Sequence, residues 1–467
     1  MTQHIYLDPA IKYIDNWLDT QTFLDKQTPG HSVAISHKGQ IVYSRGFGYA
    51  NIEDKEEMTT NHLFRIASHS KTFTATAIMQ LMDAGKLSIY DRASKYLPFL
   101  NKNPDRRVTD VTIQQMLQHT SGMWRDGEDP SFWRLQRDFP SKEDVIAFLQ
   151  TAPLAIDNNT RFKYSNYAYA LLGWIIDDVS GKTYADYMRS EILEKLGLSS
   201  IGPEYDPNDG PYITGYTTIA PNGDQAPISA EIHTGDITGA TGFYSNAENL
   251  CLFYDAVMPQ SGKLLSDQLK KEMLRQHWDV PDEATKRGYG LGFKSEYIGD
   301  RHLKGHSGGM PGNITRTLFD TDDRIVVSVL SNSHGCDPMN LHKGIWHILD
   351  KYKSEYDPSS PFLKYHGRFY DVWGSSHFVP MGKKIYVTLP NTLHPFKDCS
   401  ELEHIEGNIF TPAKESGYGN YGQNVEFIMN ENNEVKTVNY AGILQKKKEE
   451  YEAYIKTLKE KYNNHNS

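Results

Sequence analysis

Cysteine is scarce: three in 467 residues, Cys251, Cys336 and Cys399, far apart and with no C-x-x-C among them. That excludes a disulfide framework and argues against a thiolate zinc site. No run of about 18 apolar residues occurs, so no segment reads as a membrane-spanning helix. The opening stretch, MTQHIYLDPAIKYIDNWLDT, lacks the basic and apolar regions of a secretion signal. It reads as an amphipathic helix, with Asp8 as N-cap, Pro9 at its first position, and Leu7, Ile11, Ile14 and Leu18 on one face. Positive charge is in deficit, 49 Lys and Arg against 59 Asp and Glu, for a formal net charge of −10. This argues against nucleic acid or an anionic membrane as partner. Hydrophobic residues at 38% and aromatics at 12% exclude global disorder. The chain is expected to be soluble and cytoplasmic, with two to three domains or one large domain and an appendage.

The order of elements follows from the patterning. SVAIS and QIVYSRGFGYA flank a turn at His37-Lys38-Gly39, a hairpin signal. In FRIASHSKTFTATAIMQLMDAGK, Ile66, Phe73, Ala77, Ile78, Leu81 and Met82 keep helical spacing, and Gly85 stands where a helix-ending glycine belongs. Residues 111–180 read as several helices, 205–250 as turn-rich. GYGLGFKSEYIG, HLKGHSGG, NITRTLFD and RIVVSVLSN are strand candidates, after which Asp337-Pro338 starts a helix. Strands from both ends of this region come together in one antiparallel sheet, with helices inserted between them. The DPSSP stretch at 357–361 marks a boundary; 362–444 alternates in period two with a hairpin turn at Asn430–Asn433, and the tail from 446 is a charged helix. No internal repeat or low-complexity tract appears.

The chemistry-bearing residues form an ordered series. Ser68-His69-Ser70-Lys71 is the one S-x-x-K in the chain. At the start of an apolar-periodic helix, Ser68 and Lys71 share a face one turn apart. An amine there accepts the hydroxyl proton if burial lowers its pKa, and the helix N-terminus adds a positive field for an oxyanion. The plain alternative is an N-cap serine beside a solvated lysine. Tyr164-Ser165-Asn166 matches Y-x-N, a common pattern, and lies between the first and last motifs, just before an apolar helix. His306-Ser307-Gly308 is followed by Gly309 between two strand candidates, where small residues let a substrate backbone approach a strand edge.

This series, with LQHTSGM at 117–123 and GHSGGMPGN at 305–313, resembles the serine β-lactamase and penicillin-binding-protein superfamily, specifically its class C-like branch, peptidase family S12. The resemblance covers roughly residues 10–350. It implies an α/β (α+β) fold: an antiparallel sheet flanked by helices, a helical subdomain and a cleft between them. Domains are expected at 1–357 (hydrolase), 362–444 (a small all-β barrel, lipocalin-like on features such as YHGRFYDVWG) and 445–467 (charged helix). It further implies that Ser68 attacks a carbonyl to form an acyl-enzyme, that Lys71 activates it, and that Tyr164 relays protons. Asn166 would hold substrate and lysine, and the N–H groups of Ser68 and Gly309 would make the oxyanion hole beside Ser307 and Gly308. His306 replaces the lysine usual in class C β-lactamases. A histidine anchors a substrate carboxylate less well, so the departure points to D-aminopeptidase, amidase or esterase members.

The expected function is therefore a serine hydrolase of amide bonds, with small peptides carrying D-residues as substrate and no metal or cofactor implied. Its alternatives are a carboxylesterase or weak β-lactamase of the same fold, and a non-hydrolytic binding or scaffolding protein. The resemblance also allows a homo-oligomer. Other motifs carry less. Ser180-Gly181-Lys182-Thr183 lacks the earlier P-loop glycine; His302 and His306 lack acidic or cysteine partners for a metal. Asp320, Asp322 and Asp323 fit a hairpin turn, and His119 is expected as a buried structural histidine.

Overall fold

The computed structural model describes residues 5–465 apart from 26–27, 282–285, 336–337, 398, 415 and 417–418. The chain forms two compact units, Lys26–His342 and a second formed by Met1–Asp25 with Lys343–Ser467. The elements used below are α1 (Leu7–Leu24), β1 (Gly30–His37), β2 (Gln40–Asn51), β3 (Glu56–Glu57), α2 (Ser70–Asp83), α3 (Asn166–Ser180) and α4 (Ala247–Val257). They continue with β4 (Trp278–Val280), β5 (Arg287–Tyr289), β6 (Lys294–Ile298), β7 (Arg301–Met310), β8 (Asn313–Asp320), β9 (Ile325–Ser331) and α5 (Pro338–Glu355). Asp337, expected to start α5 with Pro338, and Cys336 lie outside the described residues. Cys251 is buried and Cys399 half-buried, both as free thiols.

The larger unit is a nine-stranded antiparallel sheet in the order β3-β2-β1-β9-β8-β7-β6-β5-β4. The β1–β2 hairpin turns at Lys38 and Gly39, both with positive φ, and joins its edge to the late strand β9, from His31 opposite Ser331 to His37 opposite Ile325. Helix α4 packs on β1, β2, β8 and β9, with Cys251 Sγ 3.5 Å from the Ala34 carbonyl. The mixed α/β fold expected from the sequence is present. Among the described residues no helix is long and apolar enough to cross a membrane.

Helix α2 departs from the amphipathic expectation. From Ser70 to Met79 every residue is buried, whereas Met82 is partly exposed. A helix enclosed on all sides must satisfy its polar side chains internally. The threonines do so on backbone: Thr72 Oγ1 donates to the His69 carbonyl at 2.7 Å, Thr74 Oγ1 to Gly239 at 2.7 Å and Thr76 Oγ1 to Thr72 at 2.8 Å. Phe73 is sandwiched between Phe243 and Phe253, with centroids 4.2 and 3.6 Å away. Gly85 ends the helix with φ of 67° and its N–H on the Met82 carbonyl at 2.9 Å.

In the smaller unit, eight antiparallel strands close a barrel in sequence order: β10 (Gly367–Asp371), β11 (Gly374–Met381), β12 (Lys384–Thr388), β13 (Ser400–Glu406), β14 (Ile409–Pro412), β15 (Val425–Met429), β16 (Val435–Tyr440) and β17 (Ile443–Lys446). Its interior is filled by side chains including Phe369, Phe378, Ile385, Leu402, Phe410, Val425 and Phe427. Helix α1 begins at Leu7 with Tyr6 in the N-cap position and no side-chain cap, so Asp8 falls in the first turn instead of capping it. Pro9 is still tolerated there, because the first N–H groups of a helix have no partner within it. The buried face of α1 adds Tyr13 and Trp17 to Leu7, Ile14 and Leu18, with Ile11 half-buried. It lies on the barrel: Tyr13 shares a hydrogen bond with Thr388 at 2.7 Å, and Trp17 Nε1 donates to the Thr392 carbonyl at 2.9 Å. A charged helix, α6 (Lys448–His465), ends the chain, its Tyr451 stacked on Tyr370.

Candidate active site

Ser68 sits in a 3-10 turn, Ala67–His69, that leads directly into α2. The turn is sharp enough to hold Ala67, a buried non-glycine residue, at φ of 45°. Such a conformation costs about 1–3 kcal/mol and persists only where its surroundings fix it. Ser70 Oγ bridges the turn, donating to the Ala67 carbonyl at 2.6 Å and accepting from the Phe243 N–H at 3.0 Å. The result leaves Ser68 half-exposed at the wall of a cleft of about 430 Å³.

One turn along α2, the fully buried Lys71 turns its amine towards Ser68 Oγ at 3.2 Å. Its other two contacts are acceptors only, Asn166 Oδ1 and the Ala240 carbonyl, each at 2.7 Å. Burial drives its pKa well below the ordinary lysine value; Asp126 opposes the shift, while Arg125 and Lys294 add to it. A neutral amine has two N–H bonds and one lone pair. With both N–H bonds committed to acceptors, the lone pair is left for the Ser68 hydroxyl. The solvated-lysine alternative is thereby removed.

Tyr164 precedes α3 in a loop and lines the cleft with Ser68, whose hydroxyl favours the ionised phenol. Burial raises its pKa, so the phenol is neutral, ready to hand on a proton. The ring lies against His119 at 4.1 Å between centroids, with Lys71 Nζ at 4.9 Å and the Arg125 guanidinium at 5.3 Å. His119 is buried as expected; its Nδ1 accepts the Ser165 N–H at 3.1 Å, and burial keeps the ring neutral. Asn166 opens α3, which Ser165 caps by accepting the Ala168 N–H at 3.0 Å. The Asn166 amide is oriented from both ends, since its Nδ2 donates to Asp126 Oδ1 at 2.7 Å and Asp126 is paired with Arg125 at 3.0 Å.

The last motif lies on β7. Strand β6 pairs with β7 only as far as Gly305, while β8 pairs along its whole second half to Met310. Residues 306–310 are therefore left with no β6 partner on the side that β6 would continue, and Ser307, Gly308 and Gly309 line the cleft with Ser68. A Cβ on Gly308 would stand 2.1 Å from the Ile66 carbonyl oxygen, so glycine is what lets this edge approach the Ser68 turn. Gly309 has only Ile314 Cδ1 at 3.5 Å, leaving its edge accessible. His306 is not part of the cleft wall. Its ring is buried, with Nδ1 donating to the Ser307 carbonyl at 2.7 Å and Nε2 accepting the Tyr289 hydroxyl at 3.0 Å. Burial, reinforced by Lys294, His69 and Lys71, drives its pKa well below the ordinary value, so it is neutral.

The structure thus gathers Ser68, Lys71, Tyr164, Asn166, Ser307, Gly308 and Gly309 and sets the His306 ring behind them. It adds residues that no motif announced. Lys294, the first residue of β6, donates to Ser307 Oγ at 2.9 Å. Arg125, Lys294 and Arg316 all line the cleft. Strand register alone finds two of them: Ser307 lies opposite Arg316 on β8, and Lys294 lies opposite Gly305, diagonal to Ser307 on the same face. Among the described residues no cluster of three or more His, Cys, Asp or Glu side chains could hold a metal ion.

A family model described as Beta-lactamase matches residues 14–344. The protein flp of Staphylococcus aureus is 31% identical over 173 residues, 37% of this chain and 34% of flp, so the chain spans about a third of the length of that relative. Among solved structures, the octameric penicillin-binding protein homologue from Pyrococcus abyssi superposes with a TM-score of 0.63 at 24% identity, covering 96% of this chain and 100% of that one. The D-amino acid amidase from Ochrobactrum anthropi does so with a TM-score of 0.61 at 22% identity, over 74% of this chain and 98% of that one. At these identities the structures establish a shared fold.

Proposed function

From the premise that this chain belongs to the Beta-lactamase family and is a serine hydrolase, we propose that it cleaves amide bonds in small D-residue substrates through an acyl-enzyme on Ser68. The observation that carries the reading is the Lys71 amine, held by two acceptors at 2.7 Å with its remaining direction on Ser68 Oγ at 3.2 Å. Lys71 takes the hydroxyl proton as Ser68 Oγ bonds to the carbonyl carbon. The tetrahedral oxygen is received by the N–H groups of Ser68 and Gly309, donors of a kind worth ~3–4 kcal/mol of barrier. Tyr164 hands a proton to the departing nitrogen, the C–N bond breaks, and the same groups then activate water to release the acid. Lys71 Nζ lies 4.9 Å from the Tyr164 ring centroid and both line up on Ser68, so lysine and phenol titrate as a coupled set.

The preference for amides over esters, and for D-residues, draws on likeness to the D-amino acid amidase and to a D-stereospecific amidohydrolase from Streptomyces sp., which shares the fold with a TM-score of 0.61 at 22% identity. A panel of D- and L-aminoacyl amides, short peptides and p-nitrophenyl esters tests it. The expected result is hydrolysis of D-aminoacyl amides at least about tenfold faster in kcat/KM than of their L counterparts. Turnover of esters alone identifies a carboxylesterase. The octameric homologue makes self-assembly a companion proposal, checked by light scattering of the full chain.

A further inference from the structure

His119 occupies a position that stability alone does not select. It follows the short helix Ile113–Leu117 with φ of 58°, a left-handed conformation that favours glycine or asparagine. Its side chain is fully buried. Because Nδ1 accepts the Ser165 N–H at 3.1 Å, the neutral ring carries its proton on Nε2. That Nε2 atom is buried and has no hydrogen-bond partner. A strained backbone and an unpaired buried N–H both oppose folding, and such costs collect where a site needs them.

What they support here is the setting of Tyr164. The Lys163 N–H donates to the His119 carbonyl at 2.7 Å, and the Ser165 N–H to its Nδ1 at 3.1 Å. One residue therefore holds the chain on both sides of the tyrosine, through its backbone before it and its side chain after it. The His119 ring also lies against the Tyr164 ring, with centroids 4.1 Å apart, and is backed by Tyr289 at 4.8 Å and Tyr169 at 5.0 Å. The stretch after His119 continues the grip. Ser165 Oγ donates to the Trp124 carbonyl at 2.7 Å and the Asn166 N–H to the Arg125 carbonyl at 2.9 Å. Tyr164 stands in a loop, outside α3, so no helical hydrogen bond fixes it. A proton donor misplaced by an ångström loses much of its effect.

We infer that His119 is a positioning residue for Tyr164, acting through the two backbone anchors it gives to Lys163 and Ser165, with Nδ1 as the anchor its side chain supplies. This rests on the reading of Tyr164 as proton donor to the leaving group and deepens it. His119 does not line the cleft, and it moves no proton itself.

The test compares substrates that share one acyl group and differ in what leaves. p-Nitrophenolate departs without a proton, whereas an alkoxide or amine must receive one. The quantity read is kcat/KM for the alkyl ester or amide divided by that for the p-nitrophenyl ester. A general loss of fold lowers both rates and leaves this ratio unmoved. Tyr164→Phe is expected to lower the ratio about 10²-fold, and His119→Phe, which keeps a ring but no acceptor, at least about tenfold. His119→Leu takes its place if the larger ring prevents folding. His119→Asn should restore most of the ratio, because its Oδ1 stands where Nδ1 does and asparagine accepts the left-handed backbone. The double variant His119→Phe with Tyr164→Phe should show a ratio no lower than Tyr164→Phe alone. A ratio lowered in Tyr164→Phe but unmoved in His119→Phe, or as low in His119→Asn as in His119→Phe, overturns the inference and leaves the proton-donor reading standing. A ratio unmoved in Tyr164→Phe refutes that reading and the inference with it. Hydrogen exchange over residues 163–166 checks the anchor without turnover. It should be slow in the parent and His119→Asn and at least about tenfold faster in His119→Phe; equal rates in all three overturn the inference.

Discussion

Replacing Lys71 by methionine is expected to lower kcat/KM by about 10³-fold or more, and replacing it by arginine to do the same. The second substitution is the informative one. Methionine removes the amine, whereas arginine keeps a cation but cannot be deprotonated. If Lys71 served as a fixed positive charge, Lys71→Arg would retain much of the activity; as a proton acceptor it cannot. At its ordinary pKa only on the order of one lysine in a thousand is neutral at pH 7. Burial shifts the balance towards the neutral form. The sign follows directly: the base is lost as pH falls through the lowered pKa, so the acid limb of the kcat/KM profile reports the coupled Lys71–Tyr164–Ser68 group. Since these residues act together, Ser68→Ala combined with Lys71→Met should be no worse than Ser68→Ala alone. Retention of more than about a tenth of parental activity by Lys71→Arg contradicts the assignment.

The second large effect is at Gly308. A Cβ there would lie 2.1 Å from the Ile66 oxygen and 2.7 Å from Thr315 Oγ1. Backbone oxygen cannot swing aside as a flexible side chain does, so β7 and the turn carrying Ser68 must separate. Displacements of this kind cost about 10²-fold in rate when they move a reacting atom by an ångström, and overpacking costs about 1–3 kcal/mol of stability. Gly308→Ala is therefore expected to lose about 10²-fold in kcat/KM and to melt earlier. Gly309→Ala, which meets only Ile314 Cδ1 at 3.5 Å, should keep its stability within about 0.5 kcal/mol. Denaturant titration of both variants separates the cases; equal destabilisation would show that the close approach is not what selects glycine at 308.

Much of this was legible in the sequence because the informative signals are local. Ser68 and Lys71 are one turn apart on a single helix, and Tyr164 and Asn166 flank one N-cap, so spacing alone places each pair. The late strands from residue 287 onward are punctuated by glycine and aspartate turns, and the barrel by Asn430–Asn433. What escaped depends on pairing across the sheet. Lys294 begins an unremarkable strand, FKSEYI, and only its register opposite Gly305 brings it to Ser307. The setting of His306 is hidden for the same reason. Its motif position suggests a group facing substrate, neutral or cationic, and the Tyr289 hydroxyl that its Nε2 accepts comes from β5, two strands away in the sheet order. The all-round burial of α2 was also hidden, because its threonines look polar until their hydroxyls are seen bonded to carbonyls.

The central claim, a covalent acyl intermediate on Ser68, is tested most directly by intact-protein mass spectrometry. The parent and Ser68→Ala would each be incubated with D- and L-aminoacyl amides, short-chain esters and a penicillin. The account predicts a mass increment on the parent, absent from Ser68→Ala and mapped by proteolysis to the peptide containing residue 68, whose size names the acyl group. An increment that persists in Ser68→Ala, or turnover of a library member by Ser68→Ala at the parental rate, would contradict it.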